Sequence, residues 1–238
     1  MYSCISIGAA IGNIILAAGT CGLKCRPDLS PADTAEGTGD SSSSLIPVAR
    51  LHFTPADSSP ASPAMDYSKR HTDRRKFSTR ALPDSMISEL SDARTGNGTG
   101  IDWILDINVK KQLVDIDRIF SSILINHPPL FNGLFNTVKF SRRKLLADGW
   151  GMDIKSLDLP LPAAMALRIF GSRSLGRVIA RWGIGPLVAR GLSERLMFCG
   201  ALCLVTASGR SRRDFMEAGR TMQMVWLKAT RLGLSVHP

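Results

Sequence analysis

The segment Arg70 to Phe77, RHTDRRKF, gathers residue types suited to holding a phosphate. A guanidinium fork offers a phosphate dianion paired, charge-assisted hydrogen bonds, and a threonine hydroxyl or backbone amides at a helix start add further donors. Arg70, Thr72 and Arg74 stand at i, i+2 and i+4, so in an extended segment all three project to one side. A charge run of this kind equally suits a solvated basic loop, and Arg75, Lys76 and Arg80 are assigned to that surface role.

The remaining polar residues read as architecture. Asp106, Asp115 and Asp117, with His127 nearby, fall at ordinary helix and strand positions where solvated or capping roles are expected. His52, His71, His127 and His237 are scattered, and the five cysteines form no CxxC pair, so no metal site is expected. Cys199 and Cys203 flank a strand core as small buried residues. An odd set of cysteines in a chain of 238 residues points to free thiols in a reducing compartment, and the cytoplasm is the expected location. No Ser/His/Asp elbow or Walker loop occurs, and no catalytic side chain is assigned.

Around these residues the elements follow from pattern. From Pro27 to about Pro63 the chain is rich in Ser, Pro, Ala, Gly, Thr and Asp, a linker with one apolar island, Leu45 to Phe53, that suits a strand. Pro83 and Asp84 open a helix, Thr95 to Gly100 is a Gly-rich turn, and Ile101 to Ile107 suits a strand. Residues 110–125 have helical period, with Leu113, Ile116, Ile119, Phe120 and Ile123 on one side, and Pro128 and Pro129 stop that helix. Between Pro162 and Arg195 Gly and Pro break the chain into short helices, Met197 to Thr206 reads as a buried strand, and Arg213 to Leu232 is the clearest helix, stopped by Gly233. The alternation predicts a mixed α+β class.

The formal charge of +10 favours anionic partners. No RNP motif, zinc finger or clear helix-turn-helix accompanies it, so nucleic acid is not the expected partner, although a basic nucleic-acid or membrane-surface binder stands as a weaker alternative. Arg173, Arg177 and Arg181 recur at i+4 and suit amphipathic core packing. The apolar run Ile5 to Leu23 has no basic residues before it, is interrupted by Gly8, Gly12, Asn13 and Gly19, and is followed by Lys24 and Arg26. Those flanks argue against a signal peptide or membrane anchor.

That same run has an echo. Ile7 to Pro27 (IGAAIGNIILAAGTCGLKCRP) and Ala218 to Pro238 (AGRTMQMVWLKATRLGLSVHP) align without a gap, pairing Gly8 with Gly219, Leu16 with Leu227, Ala18 with Ala229, Gly22-Leu23 with Gly233-Leu234, and Pro27 with Pro238. Each describes a closely packing helix that exits through Gly-Leu into an extended strand. Any two buried helices with a Gly stop share part of this pattern; a true repeat would set two copies facing each other as a pseudo-dimer.

RHTDRRKF, followed by RALPDSMISEL, resembles the flavin-phosphate motif of nitroreductases, an Arg-x-Ser/Thr-x-Arg/Lys run before a helix. Ile7 to Leu23 resembles that family's central helix, Gly-Ala-x-x-x-Asn-x-x-Leu-Ala-Ala-x-x-x-Gly-Leu, through Gly8, Ala9, Asn13, Leu16, Ala17, Ala18, Gly22 and Leu23. The order of RHTDRRKF, DGWGMDIKSLDLP and the second Gly-Leu helix is similar to the large, internally duplicated nitroreductases of Acg-like or ThiF-fused type. The resemblance implies an α+β nitroreductase-like fold: a central mixed or antiparallel sheet flanked by helices, as an incomplete pseudo-dimer of two half-repeats. Residues 1–27 would be the central-helix segment of the first half-repeat, 28–64 the linker, and 65–238 the second.

The implied activity is FMN-dependent oxidoreduction, with hydride passing from NAD(P)H through the flavin to a small acceptor. Arg70, His71, Thr72 and Arg74 are the implied cofactor-binding positions, with no nucleic acid and no membrane as partner, and with a homodimer or a missing complementary segment completing the site. Where the family carries Pro-Ser-x-x-Asn-x-Gln-Pro-Trp, this chain has ARTGNGTGIDW, with Asn97 and Trp103 as relics. The family pattern also extends beyond both Met1 and Pro238, as in a truncated chain. A non-catalytic remnant or flavin-sequestering protein is the alternative that these departures suggest.

Overall fold

The computed structural model describes residues 2–29, 47–56, 69–96, 98–157, 159, 161–162, 164–165, 168, 181–183 and 185–238. Asn97, Arg173, Arg177 and the start of the Leu45 island lie outside them. The class is mixed α+β, as the alternation of patterns predicts. The described strands form three two-stranded sheets instead of the expected central sheet. The chain divides into two compact units, Met1–Asp73 with Leu82–Trp103 and Cys203–Pro238, and Arg74–Ala81 with Ile104–Leu202.

The first unit is organised by two long helices, α1 (Tyr2–Thr20) and the last helix, α7 (Arg212–Arg231). These are the echo segments, and they pack on each other through glycine. A Cβ on Gly8 would fall inside the Met216 carbonyl, and one on Gly219 inside the Ile5 carbonyl. Gln223, buried at the crossing, donates from Nε2 to Asn13 Oδ1 at 2.8 Å. Ile11, Leu29 and Met216 form the adjoining core, with Ile7, Ile15 and Leu51 against it.

Both helices end at a left-handed glycine, Gly22 at φ 71° and Gly233 at φ 73°, a conformation that glycine adopts without a Cβ penalty. After Gly22 the chain enters β1 (Leu23–Asp28), antiparallel to β2 (Arg50–Pro55), so the Leu45 island does supply a strand. By length and composition Ser3–Thr20 could also cross a bilayer. Here its glycine face lies on α7.

The same unit holds α2 (Asp84–Ser91), opened by Pro83, and the strand pair β3 (Thr99–Ile104) and β6 (Leu202–Ala207). The expected buried strand over Met197 to Thr206 is corrected. Its first residue closes a 3-10 turn, Glu194–Met197, Gly200 separates that turn from the strand, and the adjacent Cys203 and Leu204 are both exposed, as the two-stranded ribbon leaves them without a covering layer on either face.

In the second unit α3 (Ile107–Asn126) is followed by α4 (Pro128–Asn136), α5 (Arg142–Asp148) and α6 (Gly185–Ser193). Pro128 ends one helix and begins the next, since proline lacks the amide an interior position needs but fits the first turn. Ile125, Phe131 and Ala189 form a small core. Lys139, in the short parallel pair β4 (Val138–Lys139) with β5 (Met152–Asp153), is buried, donates to Asp148 at 2.7 Å and lies 3.8 Å from the Trp150 ring centroid.

Candidate functional site

α7 is the element that sets the site. Ser211 and Asp214 close a capping box at its start, each side chain accepting from the other's backbone amide. The Ser211 bonds hold the Asp214 carboxyl below the usual carboxylate range. Two turns from the other end Trp226 is buried, and its Nε1–H has no acceptor among the described residues.

The Arg70 guanidinium carbon lies 4.1 Å from the centroid of the Trp226 ring. Cation–π attraction uses the ring face and leaves the guanidinium N–H edge open. No described acceptor takes a hydrogen bond from Arg70. Thr72 forms a parallel bridge with Val236, and the Asp73 amide donates to the Val236 carbonyl at 3.0 Å. The segment leaving Gly233 therefore clamps the backbone just after Arg70. His71 is exposed and its Nδ1 sits 3.0 Å from the Lys69 carbonyl.

Arg70, His71 and Thr72 belong to the first unit and Arg74 to the second. Arg74 donates to the Ser156 carbonyl at 2.6 Å, and its own carbonyl accepts from Arg195 at 3.0 Å. Beyond it Arg75 and Arg80 are exposed, as expected of surface residues, and Lys76 rests 4.4 Å from the Phe198 ring.

Trp226 falls inside the helix that the sequence marks over Arg213 to Leu232, with nothing in the pattern to set it apart. Periodicity marks it only as one more core position. Its signal is chemical: an indole N–H can donate and never accept, so its burial raises the question of a partner.

In the ARTGNGTGIDW segment two hydroxyls and the indole are engaged internally. The Thr95 and Thr99 hydroxyls lie 2.9 and 3.1 Å from that of Thr221, and Trp103 donates to Ser91 at 2.9 Å. Asp106 caps α3 by accepting from Asn108 at 2.6 Å, and Asp115 pairs with Arg118 at 3.1 Å, the structural roles expected of them. Among the described residues no group of three His, Cys, Asp or Glu side chains converges as a metal site would require.

Cys199 is buried as expected, whereas Cys203, expected to be a small buried residue, is exposed on its two-stranded ribbon. Burial pushes the thiols of Cys25 and Cys199 up. Cys203, open to solvent on one side, is still pushed up to about 11, first by the loss of hydration around its sulfur and then by the Asp102 carboxylate. In the second unit Glu194 is held low by its hydrogen bond from Arg190, at 2.7 Å, with Arg118 and Lys76 adding to the effect.

No protein-family model matches the chain. A stretch of 88 residues is 32% identical to a protein of Mycobacterium tuberculosis (strain CDC 1551 / Oshkosh) described as uncharacterized. The stretch is 37% of this chain and 12% of that protein's length, so the likeness covers a small part of a much longer relative.

Proposed function

We propose that the chain is an FMN-dependent oxidoreductase of the nitroreductase type, passing hydride from NAD(P)H through the flavin to a small acceptor. The observation that carries this reading is Arg70, stacked on Trp226 with no hydrogen-bond acceptor among the described residues, beside a threonine and a histidine on a clamped extended segment. A guanidinium stacked on a ring face, with its N–H edge turned away from the ring, suits an oxygen-rich anion such as a ribityl phosphate. Bound flavin would supply the hydride chemistry, so binding and orientation are what this chain's own residues contribute.

The duplicated fold belongs to the same proposal. The 211-residue shift that carries Gly8 onto Gly219 also carries Ile5 onto Met216, so the Gly8–Met216 approach and the Gly219–Ile5 approach exchange under it. The same shift maps Gly22 onto Gly233, which share one backbone conformation. Such exchange is what a pseudo-twofold axis through a helix crossing requires.

The test is the visible spectrum of the purified protein. Flavin absorbance, native or after reconstitution with FMN, that is released on denaturation and bleached by NADPH is the expected result. Arg70→Ala should weaken FMN by roughly 10- to 100-fold, the scale of a lost charge-assisted hydrogen bond, and leave riboflavin affinity unchanged. A colourless protein that takes up no FMN would sink the proposal.

A second reading, a protein that holds flavin without turning it over, is favoured by one observation. The segment that stands where the family lines its flavin has its hydroxyls and indole engaged internally, with Thr221 and Ser91. FMN absorbance that NADPH fails to bleach would select that reading.

A further inference from the structure

α5 carries its charges where its own backbone disfavours them. Arg142, Arg143 and Lys144 fill its first turn with no acidic residue among them, although the unpaired amides at a helix start give that end a positive potential. All three are exposed, and neither Arg142 nor Arg143 meets a carboxylate among the described residues. Helix stability would select acids at these positions, so the three cations suit an anion supplied from outside the chain.

No residue of α5 is buried. Leu145 and Asp148 lie on the side nearest the protein, where the Asp148 carboxylate accepts a hydrogen bond from buried Lys139. Leu146 therefore falls on the opposite side, 73% exposed, with Arg142 and Arg143 beside it at helical spacing. The chain then turns through left-handed Gly149 and through Gly151, where a Cβ would meet the Thr137 carbonyl and the Lys139 side chain. That turn sets one face of the Trp150 ring 3.8 Å from Lys139 Nζ and leaves the residue 57% exposed.

We propose that α5 and Trp150 dock on an anionic lipid bilayer, with Leu146 and Trp150 entering the headgroup region and Arg142, Arg143 and Lys144 meeting lipid phosphates. Charge complementarity names the occupant. The unit that holds α5 has 18 Lys and Arg against 7 Asp and Glu, whereas the other has 12 against 13, so the whole formal charge of +10 is concentrated on the docking unit. A nucleic acid would match that charge but offers no apolar layer for an exposed leucine set among arginines. The boundary of a bilayer offers phosphate and hydrocarbon side by side, and an indole partitions to that depth.

Co-sedimentation of the whole chain with vesicles tests this. Retention is expected on vesicles of equal parts phosphatidylcholine and phosphatidylglycerol, and not on phosphatidylcholine alone. Each basic residue near such a surface contributes roughly fivefold in affinity, so the pair Arg142→Glu and Arg143→Glu should weaken retention by at least about 30-fold. Arg212→Glu with Arg213→Glu, the same change of net charge on the other unit, should weaken it far less. Leu146→Ser with Trp150→Ser should cost about 10-fold or more with unchanged circular dichroism, since both side chains lie largely in solvent. A chain that ignores the anionic vesicles, binds both lipids equally, or responds alike to the two glutamate pairs overturns the proposal. So does retention indifferent to the serine pair, or uptake of duplex DNA through Arg142 and Arg143 with the vesicles left unbound.

Discussion

A guanidinium laid on an indole is held in orientation without losing hydrogen-bonding capacity, and that is the physical content of the Arg70–Trp226 pair. Trp226→Leu removes the ring face and frees the arginine to rotate, while Trp226→Phe keeps a ring face and deletes the unpartnered N–H. The expected order of FMN affinity is therefore wild type, then Phe, then Leu. Equilibrium flavin titration checks it, and equal affinities across the three would show that the stack does not orient the arginine.

Gly8 and Gly219 pose a contest between two effects. Glycine inside a helix is less favourable than alanine by about 1 kcal/mol, so substitution by alanine would ordinarily stabilise. At these two positions the new Cβ would enter the Met216 or Ile5 carbonyl, and backbone cannot yield as a flexible side chain does. Overpacking of this kind costs about 1–3 kcal/mol, so the clash wins. Gly8→Ala and Gly219→Ala should each lower the urea midpoint, whereas Gly19→Ala, with nothing within 4 Å, should not.

At the scale of elements, the capping box of α7 gives a pH-dependent prediction. The folded Asp214 carboxyl is held below its usual range by Ser211, so its stabilising effect is present above that range and fades as the pH falls through the lowered value. Thermal melting should show Asp214→Asn less stable than wild type at neutral pH, with the difference closing in acid. Ser211→Ala should cost about 1 kcal/mol, the usual cost of losing an N-cap.

Helices were the legible part of the fold, because period, proline and glycine act locally. Pro83, Pro128 and Gly233 mark boundaries by their own backbone chemistry. The helical period of α3 was equally legible, but not which way its apolar side faces, since that is fixed by Lys110 reaching carbonyls 89 and 90 residues away. Strand pairing was lost for the same reason: β3 and β6 meet across more than half of the second unit's sequence. Of the candidate site, Arg70 could be read from charge and spacing, while Trp226 could not, being distant in sequence and hidden among core positions.

For the whole molecule the division into two units makes ligand linkage local. A ligand bound only by the native form adds RT ln(1 + [L]/Kd), about 2.7 kcal/mol at a hundredfold excess over Kd, to every opening that destroys its site. If FMN is held by Arg70, hydrogen exchange in FMN should slow by up to about 100-fold for amides of α7, which carries Trp226, and of α1 packed on it, with α3 of the other unit unchanged. In Arg70→Ala the slowing should vanish. Slowing of equal size in α1, α7 and α3 would instead mean that the two units open as one. Slowing confined to α3 would place the ligand in the second unit and remove Arg70 from the account. The net charge of +10 cannot mimic the expected pattern, because its nonspecific pull on anions falls with salt while a built phosphate site retains most of its affinity. Repeating the exchange at raised ionic strength therefore separates attraction from recognition.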